Sequence, residues 1–317
     1  QFNQQNLLKL NNQDTLNLRW KEISLVKQKA LNSLNPVKKI GDQLMLPYIF
    51  HKSYTRDKAK KEAIKLLDLV QIDHKYFNSY PHELSGGMRQ RIIIAIALAL
   101  RPKLVIMDEP TTALDVITER EIIKKILELK QKLKFSIIFI THDLSLLLQF
   151  ADTLSVLYNG QIVDQGSVKE ISKGGNHNYT KTLLKAIPDI HKAKKRSDDN
   201  VKSNIFTIKN INVKYQLGSW IEPKELNAVN DFSLDLYEKN ITALIGESGS
   251  GKSTIAKVIC GLENFQKGSL IQSFDDSKKR FVNFDLNYRK QVQMIFQDPF
   301  SALNPIHNVI HHLSRSF

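Results

Sequence analysis

The sequence predicts an α/β fold with a parallel-sheet core, present as two incomplete copies in tandem. Two short apolar runs, 103–108 and 136–141, are rich in β-forming residues, and a stretch with helical spacing, 116–133, lies between them. Strands that alternate with helices in this way usually pair in parallel. The two copies are predicted by a repeated phrase: QDPFSALNP begins at Gln297, and a looser version, QKALNSLNP, begins at Gln28. A separation of 269 residues is too long for a solenoid repeat and indicates two whole domains.

The composition is that of an ordinary globular chain and excludes several kinds of protein. The 317 residues are 42% hydrophobic and 25% charged, and their number allows two or three domains. The single cysteine, Cys260, excludes a disulfide framework and a cysteine-based zinc or iron–sulfur site in this chain. The longest apolar run, 92–100, is far shorter than the ~20 residues that span a bilayer.

The net charge of +14 has two interpretations. One is a nucleic acid or an acidic membrane as partner. The other is a lysine-rich composition spread over helix surfaces, and the scattered lysines favour it. No nucleic-acid partner is therefore expected.

The first half of the chain is expected to form one domain, residues 1–188. Residues 22–26 are predicted to form a strand that leads into the first copy of the phrase. Residues 38–80 have helical spacing, and an apolar helix is predicted from Met88 to about Leu100. After the strand–helix–strand alternation, residues 154–166 are predicted to form a hairpin that turns at Asn159–Gly160.

A charged segment, 189–203, is nearly without apolar residues and is predicted to be an interdomain linker. The second domain is then expected over 204–317. Strands are predicted there in IFTIKNINVKY and in FSLDLYEKNITALIG.

The stretch ALIGESGSGKST, residues 243–254, matches the phosphate-binding pattern G-x-x-x-x-G-K-[ST] behind an apolar run, ITALI, that is predicted to be a strand. Its glycines would let backbone N–H groups turn toward an anion, and the helix that follows would add its positive N-terminal end. Lys252 would reach the β- and γ-phosphates of a nucleotide, and Ser253 would hold Mg²⁺. A chance Gly/Ser-rich turn is the alternative, but the apolar segments on both sides disfavour it.

Two carboxylates follow the apolar run LVIM, at the sheet edge where nucleotides bind in α/β folds. Asp108 could hold Mg²⁺ through water, and Glu109 is positioned to polarise an attacking water as a general base. Such an acidic pair is common by itself, so this interpretation depends on the other motifs. His142 follows the next strand and could contact a γ-phosphate or the attacking water, although a lone histidine is more often structural.

The stretch ELSGGMRQR, residues 83–91, predicts a second helix N-terminus suited to an anion. Ser85 is a good N-cap, and Gly86 and Gly87 permit close approach of the backbone. An ordinary capped helix is the alternative. Two glycines just inside the cap argue against it, because each costs the helix about 1 kcal/mol.

In series, LSGGMRQR, LVIMDEPTTALD, ITHD and GESGSGKST resemble the motifs of the nucleotide-binding domains of ABC ATPases, which are P-loop NTPases. The resemblance implies two ABC ATPase domains, ATP and Mg²⁺ as ligands, and ATP hydrolysis as the activity. In the first domain it implies a Q-loop at Gln28, signature residues Leu84, Ser85, Gly86, Gly87 and Gln90, Walker B residues Asp108 and Glu109, the D-loop residue Asp115, and the H-loop residue His142.

In the second domain the resemblance implies an aromatic residue that stacks on adenine, a Walker A loop and a Q-loop. These are Tyr215, then Gly246, Glu247, Ser248, Gly249, Ser250, Gly251, Lys252, Ser253 and Thr254, and finally Gln297. Glu109 and His142 are implied to be catalytic. The implied Mg²⁺ ligands are Asp108, Ser253, Gln28 and Gln297.

Two features resemble the oligopeptide/dipeptide/nickel group of importers: the continuation QDPFSALNP and the segment HNYTKTLLKAIP at 177–188. The resemblance implies an ATP-binding protein peripheral to the cytoplasmic face of the inner (cell) membrane. It would be bound to two permease subunits and served by a substrate-binding protein. Residues of about 37–84 are implied to be the helical subdomain that receives the permeases. The sequence departs from the pattern at Lys29, at Met88 and in the tail HHLSRSF.

The order of the motifs also implies a chain truncated at both ends, with the first Walker A before Gln1 and the second signature after Phe317. The chain alone is therefore not expected to be a competent ATPase without a second ATPase half or a homodimer. Two alternatives remain. One is a soluble tandem ABC protein without a permease, for which a long helical linker or zinc-binding cysteines would be usual. The other is an inactive remnant of a gene.

Overall fold

The computed structural model describes Phe2 and residues 6–27, 33–111, 114–187, 203–219, 222–247, 249–273, 280–296 and 303–314. The chain divides into two compact units, Gln1–Lys194 and Lys195–Phe317. The division falls within 189–203, the segment expected to be a linker. Within the described ranges, every helix is too short or too polar to cross a membrane.

The first unit is a mixed α/β structure. Its helices are α1 (Asn12–Leu18), α2 (Ile40–Lys52), α3 (Arg56–Leu69), α4 (Gly86–Leu98), α5 (Val116–Leu133), α6 (Leu144–Phe150), α7 (Val168–Ile171) and α8 (Asn178–Lys185). Short 3-10 helices lie at Leu7–Lys9, His74–Asn78 and Pro81–Glu83. Its strands are β1 (Ile23–Val26), β2 (Leu104–Asp108), β3 (Ser136–Ile140), β4 (Thr153–Tyr158) and β5 (Gln161–Ser167).

Strands β1, β2 and β3 pair in parallel in that order, with Leu25 opposite Ile106 and Ile106 opposite Ile138. This confirms the parallel sheet predicted from the alternating apolar runs, with α5 as the crossover between β2 and β3. Alternate side chains point to opposite faces of a strand. On one face Val105 and Met107 are completely buried, whereas on the other face Leu25 and Ile138 remain 51% and 48% exposed.

The buried face of the sheet belongs to one hydrophobic core shared with the helices. The core takes apolar side chains from α2, α3, α4 and α5, including Ile40, Leu44, Leu67, Ile92, Leu98 and Ile122. Gly41 in α2 lies against the ring of Phe77, and a Cβ at that position would overlap the ring. The predicted apolar helix is α4, which begins at Gly86, two residues before the predicted start.

The hairpin β4–β5 turns at Asn159–Gly160, where both residues have left-handed φ values of 49° and 77°. Such a turn matches the right-handed twist of the two strands, as the sequence predicted. The hairpin carries a buried carboxylate, Asp164, which accepts hydrogen bonds from the N–H of Asn176 at 3.0 Å, the N–H of His177 at 2.9 Å and the hydroxyl of Thr180 at 2.5 Å. Asp164 thereby fixes the start of α8 on the hairpin.

The second unit contains an antiparallel sheet and three short helices among its described residues. Its strands are β6 (Asn204–Ser219), β7 (Glu222–Tyr237), β8 (Lys267–Gln272) and β9 (Arg280–Phe281), in the order β7-β6-β8-β9. Its helices are α9 (Lys252–Ile259), α10 (Leu286–Gln291) and α11 (Val309–Ser314). Its core includes Phe206, Ile208, Ile211, Val213, Ile255, Val258, Leu270 and Tyr288.

The apolar run Ile241–Ile245 does not form the strand that the sequence predicted before the glycine-rich loop. Ile241 and Ile245 are 76% and 89% exposed, and Leu244 is 41% exposed. A central parallel strand needs a partner on each side to bond its backbone and cover its side chains. Within the described part of the chain, no strand pairs with this run. The expectation was wrong because it considered the run without its neighbours.

The two copies of the repeated phrase have the same local structure where they are described. Asn35 Oδ1 accepts the N–H of Val37 at 3.1 Å, and Asn304 Oδ1 accepts the N–H of Ile306 at 3.0 Å. A helix follows each turn, α2 in the first copy and α11 in the second. The two turns are therefore the same Asx turn, leading into a helix in each unit.

The correspondence extends to the side chain that supports the turn. The amide Nε2 of Gln43 lies 3.1 Å from the carbonyl oxygen of Asn35. His312, which is 269 residues later, places its Nε2 3.0 Å from the carbonyl oxygen of Asn304. A different residue thus makes the same contact in the second copy.

Candidate functional site

The acidic pair lies at the carboxyl edge of the parallel sheet, because β2 ends at Asp108 and Glu109 follows it. The backbone of Glu109 has φ of 45°, in the left-handed region that residues other than glycine seldom occupy. Its N–H donates to the carbonyl of Ile140, at the end of β3, at 2.9 Å. This bond directs Glu109 toward the end of the neighbouring strand.

His142 meets Glu109 at that edge. The imidazole Nδ1 lies 2.9 Å from the carboxylate Oε1. The hydrogen bond and the negative charge of Glu109 raise the pKa of His142 above its ordinary value. The Glu109 side chain is 19% exposed and the His142 side chain is 78% exposed, so the carboxylate is mostly buried while the imidazole remains in contact with solvent.

The residue after His142 fixes the chain that carries it. Asp143 accepts the N–H of Leu146 at 3.1 Å and so caps α6, and it also accepts the hydroxyl of Ser145 at 2.6 Å. The Ser145 hydrogen bond is the main cause that lowers the pKa of Asp143. His142 therefore stands between a strand end and a capped helix, which limits how far its backbone can move.

The start of α4 contains the LSGG residues. Ser85 Oγ accepts the N–H of Met88 at 3.3 Å and caps the helix. A hydroxyl that accepts a hydrogen bond still has its own hydrogen to donate, so the cap is compatible with an anion at the helix N-terminus. Leu84 and Gln90, on the two sides of this turn, are buried, at 4% and 1% exposure.

Gly87 packs against the start of α5. A Cβ on Gly87 would lie 2.7 Å from Thr118 Cγ2, so only glycine fits without a shift. Thr118 is held in turn by Asp115, whose carboxylate accepts the Thr118 N–H at 3.0 Å and its hydroxyl at 2.9 Å. The beginning of α4 and the cap of α5 therefore form one packed unit. Sequence reasoning missed Thr118, and nothing in the local pattern marks it.

In the second unit, two glycines of the glycine-rich loop have a backbone that residues other than glycine seldom adopt. Gly249 and Gly251 have left-handed φ values of 84° and 88°. A Cβ on Gly251 would also overlap the carbonyl oxygen of Ala228 on β7. Helix α9 begins at Lys252, directly after Gly251, and among the described residues no side-chain hydrogen bond caps it. A helix N-terminus of this kind suits an anionic ligand.

Lys252 lies inside the curve of this loop. Its Nζ donates to the carbonyl oxygens of Gly246 at 2.7 Å and Glu247 at 2.5 Å, and to Ser250 Oγ at 3.2 Å. The ammonium group thus points into the concave side of the loop, where three oxygens gather around it. Ser253 is exposed in the first turn of α9.

Tyr215 on β6 stands beside the same helix. Its hydroxyl lies 3.1 Å from Glu263 Oε2 and 3.4 Å from Thr254 Oγ1. Thr254 is in the first turn of α9, so the predicted adenine-stacking residue is tied to the helix that begins at the loop. Glu263 was not among the candidates from the sequence, because its contact to Tyr215 spans 48 residues.

A family model described as ABC transporter matches residues 1–112 and 229–312. The chain belongs to the ABC transporter family. Glutathione import ATP-binding protein GsiA from Salmonella paratyphi A (strain ATCC 9150 / SARB42) is 34% identical over 316 residues. GsiA from Escherichia coli (strain K12) is 34% identical over 319 residues. Each alignment covers 91% of this chain and 51% of the relative, so the chain spans about half the length of the curated relatives it matches.

Solved structures of ATP-binding cassettes match less completely. A dimeric post-hydrolysis state of the ATP-binding cassette MJ0796 bound to ADP and Pi has a TM-score of 0.45 and 26% identity, over 50% of this chain and 68% of that one. CbiO1 from Clostridium perfringens, part of the ABC transporter complex cbiONQ, has a TM-score of 0.46 and 28% identity, over 51% of this chain and 62% of that one. Membership of the family therefore rests on the sequence matches.

The residues that the resemblance assigned to ABC-family motifs are distributed between the two units. The structure brings Glu109 to His142 in the first unit, and it brings Tyr215 to the helix of the glycine-rich loop in the second. Gln28, Ser248 and Gln297 lie outside the described residues. Among the described residues, no group of three or more His, Cys, Asp or Glu side chains could hold a metal ion. Mg²⁺ usually takes only one or two protein ligands and completes its shell with phosphate oxygens and water, so Asp108 or Ser253 fits such a role.

Proposed function

We propose that this chain is the ATP-binding part of an ABC importer that hydrolyses ATP to drive the uptake of small peptides. The observation that carries the proposal is the glycine-rich loop of the second unit. Two left-handed glycines, the inward Lys252 and a helix that begins at this lysine are features that suit the binding of a nucleotide phosphate. The other motifs of the family extend the proposal from binding to hydrolysis.

In the proposed site, Lys252 pairs with the β- and γ-phosphates, and the first N–H groups of α9 donate to phosphate oxygens. Tyr215 contacts the adenine ring. Ser253 and Asp108, with Gln28 and Gln297 as further ligands, would hold Mg²⁺, which would supply positive charge to neutralise the phosphates. The remaining loop residues contribute backbone N–H groups: Gly246, Glu247, Ser248, Gly249, Ser250, Gly251 and Thr254.

The proposed hydrolytic residues are on the first unit. Glu109 accepts a proton from the water that attacks the terminal phosphate. His142, bonded to the same carboxylate, holds it at the end of β2. The N-terminus of α4, with Ser85 and Gly87, faces the phosphates of an ATP molecule bound to a partner domain, and Asp115 supports that turn. Completing each site takes a second ATPase domain, from a further part of the protein or from a second copy.

Peptide uptake as the proposed purpose is supported by the relatives named for glutathione import, since glutathione is a short peptide. Residues 177–188 resemble a segment of the peptide importers. This segment begins at His177, whose N–H is bonded by Asp164 of the hairpin. The matching Asx turns at Asn35 and Asn304 support two tandem domains, 1–188 and 204–317. Such a protein would work at the cytoplasmic face of the inner membrane with two permease subunits and a substrate-binding protein.

Nucleotide binding is tested by titrating the full chain with ADP and with ATP in the presence of Mg²⁺, using calorimetry. Lys252→Ala should abolish binding, because it removes the charge that pairs with the phosphates. Lys257→Ala is the matched control, since Lys257 is an exposed lysine of the same helix. Equal binding by the parent and by Lys252→Ala would refute the site.

The purpose is tested separately in the source cell. Deleting the gene should abolish the uptake of labelled glutathione and of small peptides. Unchanged uptake of both would refute peptides as the cargo without affecting the nucleotide site.

Turnover by the purified chain alone should stay well below the ordinary enzyme value of about 1 s⁻¹.

A further inference from the structure

We propose that Glu263 is a positioning residue, which fixes the ring of Tyr215 so that it can receive an adenine base. This inference rests on the nucleotide site proposed above. Glu263 lies outside every motif of that site. The hydroxyl of Tyr215 lies 3.1 Å from Glu263 Oε2 and 3.4 Å from Thr254 Oγ1.

The chemistry of the three groups sets the direction of the hydrogen bonds. An ionised carboxylate only accepts, so the tyrosine hydroxyl donates its single hydrogen to Glu263. The oxygen of that hydroxyl then accepts from the Thr254 hydroxyl. The three groups form a chain from Thr254 to Tyr215 to Glu263, and Glu263 is the end that orients the other two. Bonds to an ionised acceptor are the stronger ones, so the Glu263 contact dominates.

The end of α9 determines where Glu263 lies. Gly261 has a left-handed φ of 69°. The N–H of Leu262 donates to the carbonyl oxygen of Lys257 at 2.8 Å, and the N–H of Gly261 donates to the carbonyl oxygen of Val258 at 3.0 Å. These are the two bonds of a Schellman motif, which ends a helix and reverses the chain. The reversal brings the next residue, Glu263, back beside β6.

The loop that carries Glu263 is fastened to β6 independently of this carboxylate. The amide of Gln266 accepts the N–H of Lys214 at 2.8 Å and donates to its carbonyl at 3.4 Å. The N–H of Gln266 also bonds the carbonyl of Asn212 at 2.9 Å. Removing the Glu263 carboxylate should therefore free the Tyr215 ring while leaving the loop in place.

A ring that is already oriented binds a base more tightly than one that must be ordered during binding. Thr254 is two residues from Lys252, so the same helix carries both the phosphate-binding lysine and the group that contacts Tyr215. The hydrogen-bond chain thus sets the distance between the phosphate loop and the aromatic ring. That distance decides whether one ligand can occupy both.

The experiment compares a ligand that has a base with one that has none. The full chain is titrated by calorimetry with ADP and with inorganic tripolyphosphate. Glu263→Ala should weaken ADP binding about three- to tenfold, the size expected for ordering one side chain, and leave tripolyphosphate binding unchanged. Tyr215→Phe, which lacks the hydroxyl, should have the same effect. The two substitutions combined should add nothing further, because they break the same bond.

Two controls separate positioning from general stability. Glu263→Gln keeps an acceptor and should restore most of the ADP affinity. Glu225→Gln removes an exposed carboxylate of the same sheet, which pairs with Lys214 at 3.0 Å. It should leave the affinity for both ADP and tripolyphosphate unchanged. A purely structural role for Glu263 predicts equal losses for ADP and tripolyphosphate, and that result would overturn the proposal.

The two proposals fail in different ways. If the parent binds ADP and Glu263→Ala binds it equally well, the positioning role is wrong and the nucleotide site stands. If the parent binds neither ADP nor tripolyphosphate, the nucleotide site is wrong and the role of Glu263 fails with it.

Discussion

His142 Nδ1 and Glu109 Oε1 lie 2.9 Å apart, although 33 positions separate the two residues in the sequence. The contact arises because β2 and β3 are neighbours in a parallel sheet and both residues follow the carboxyl ends of these strands. A second link, from the N–H of Glu109 to the carbonyl of Ile140, holds the same two strand ends together. A proton on the imidazole therefore strengthens the contact by adding a full positive charge.

The first prediction concerns this proton. Because Glu109 raises the pKa of His142, the imidazole should titrate above the ordinary histidine value of about 6.5. Stabilisation by the pair is then fully present below pH ~6.5 and is lost as the pH rises through the raised pKa. NMR titration of the histidine ring gives the value directly. Glu109→Gln should return it toward the ordinary value, and identical titrations in both proteins would contradict the prediction.

The second prediction concerns hydrolysis. In an assembly that hydrolyses ATP, Glu109→Gln should reduce single-turnover hydrolysis at its site by about 10²–10⁴-fold, the usual loss for a general base. ATP binding should remain, because an amide keeps the size of the side chain. Glu128→Gln, an exposed residue of α5, is the control and should retain the full rate. Undiminished hydrolysis by Glu109→Gln would exclude the role proposed for this carboxylate.

The third prediction concerns the two glycines at the start of α4. Gly87→Ala places a Cβ 2.7 Å from Thr118 Cγ2 and should lower the free energy of unfolding by about 1–3 kcal/mol. Gly86→Ala meets only Leu114 Cδ2, at 3.4 Å, and should be neutral or stabilising by up to about 1 kcal/mol. Urea unfolding followed by circular dichroism measures both changes.

A second substitution tests the cause of that loss. Thr118→Ser removes the methyl group but keeps the hydroxyl that bonds Asp115. Added to Gly87→Ala, it should recover part of the lost stability. If it recovers nothing, the contact between Gly87 and Thr118 is not what limits the size of residue 87.

The fourth prediction concerns Asp164. Asp164→Asn replaces an acceptor of three hydrogen bonds with a group that must donate at one of its two positions. The start of α8 should loosen, and the amides of Asn176 and His177 should exchange with solvent faster. Thr182→Ala, on the exposed side of α8, should leave their exchange unchanged.

The same carboxylate predicts a dependence on pH. The hydroxyl of Thr180 is the main cause that lowers the pKa of Asp164, and the N–H of His177 adds to it. The anchor should therefore be intact above the ordinary aspartate value of about 3.9 and be lost as the pH falls through the lowered pKa. Loss of protection already near neutral pH would contradict this.

Turns, helices and strands that depend on neighbouring residues could be predicted from the sequence. Contacts between residues far apart in the sequence could not. The turn at Asn159–Gly160, the helix α5 and the strands β2 and β3 follow from local turn chemistry and periodicity. In these segments the conformation is favoured by the residues' own side chains or, at Gly160, by the lack of one.

Contacts across the fold carry no such local signal. Ile241–Ile245 has the composition of a strand, yet a strand also needs partners, and its composition does not supply them. Thr118 and Glu263 act on Gly87 and Tyr215 only because turns between helices and strands bring them there. The motif residues could be named in advance, whereas the residues that hold them in place became visible only in the structure.

The hydrogen bonds from Lys252 to the carbonyl oxygens of Gly246 and Glu247 affect the expected rate of nucleotide binding. Helix α9 and the left-handed backbone at Gly249 and Gly251 are already formed beside the ammonium group, so an entering phosphate group would first have to displace the Lys252 side chain from its carbonyl partners. Rotation of one exposed side chain takes picoseconds to nanoseconds, whereas the rearrangement of a loop can take microseconds. Capture of a phosphate group should accordingly be limited by diffusion to the loop, with a rate constant that falls as salt screens the lysine.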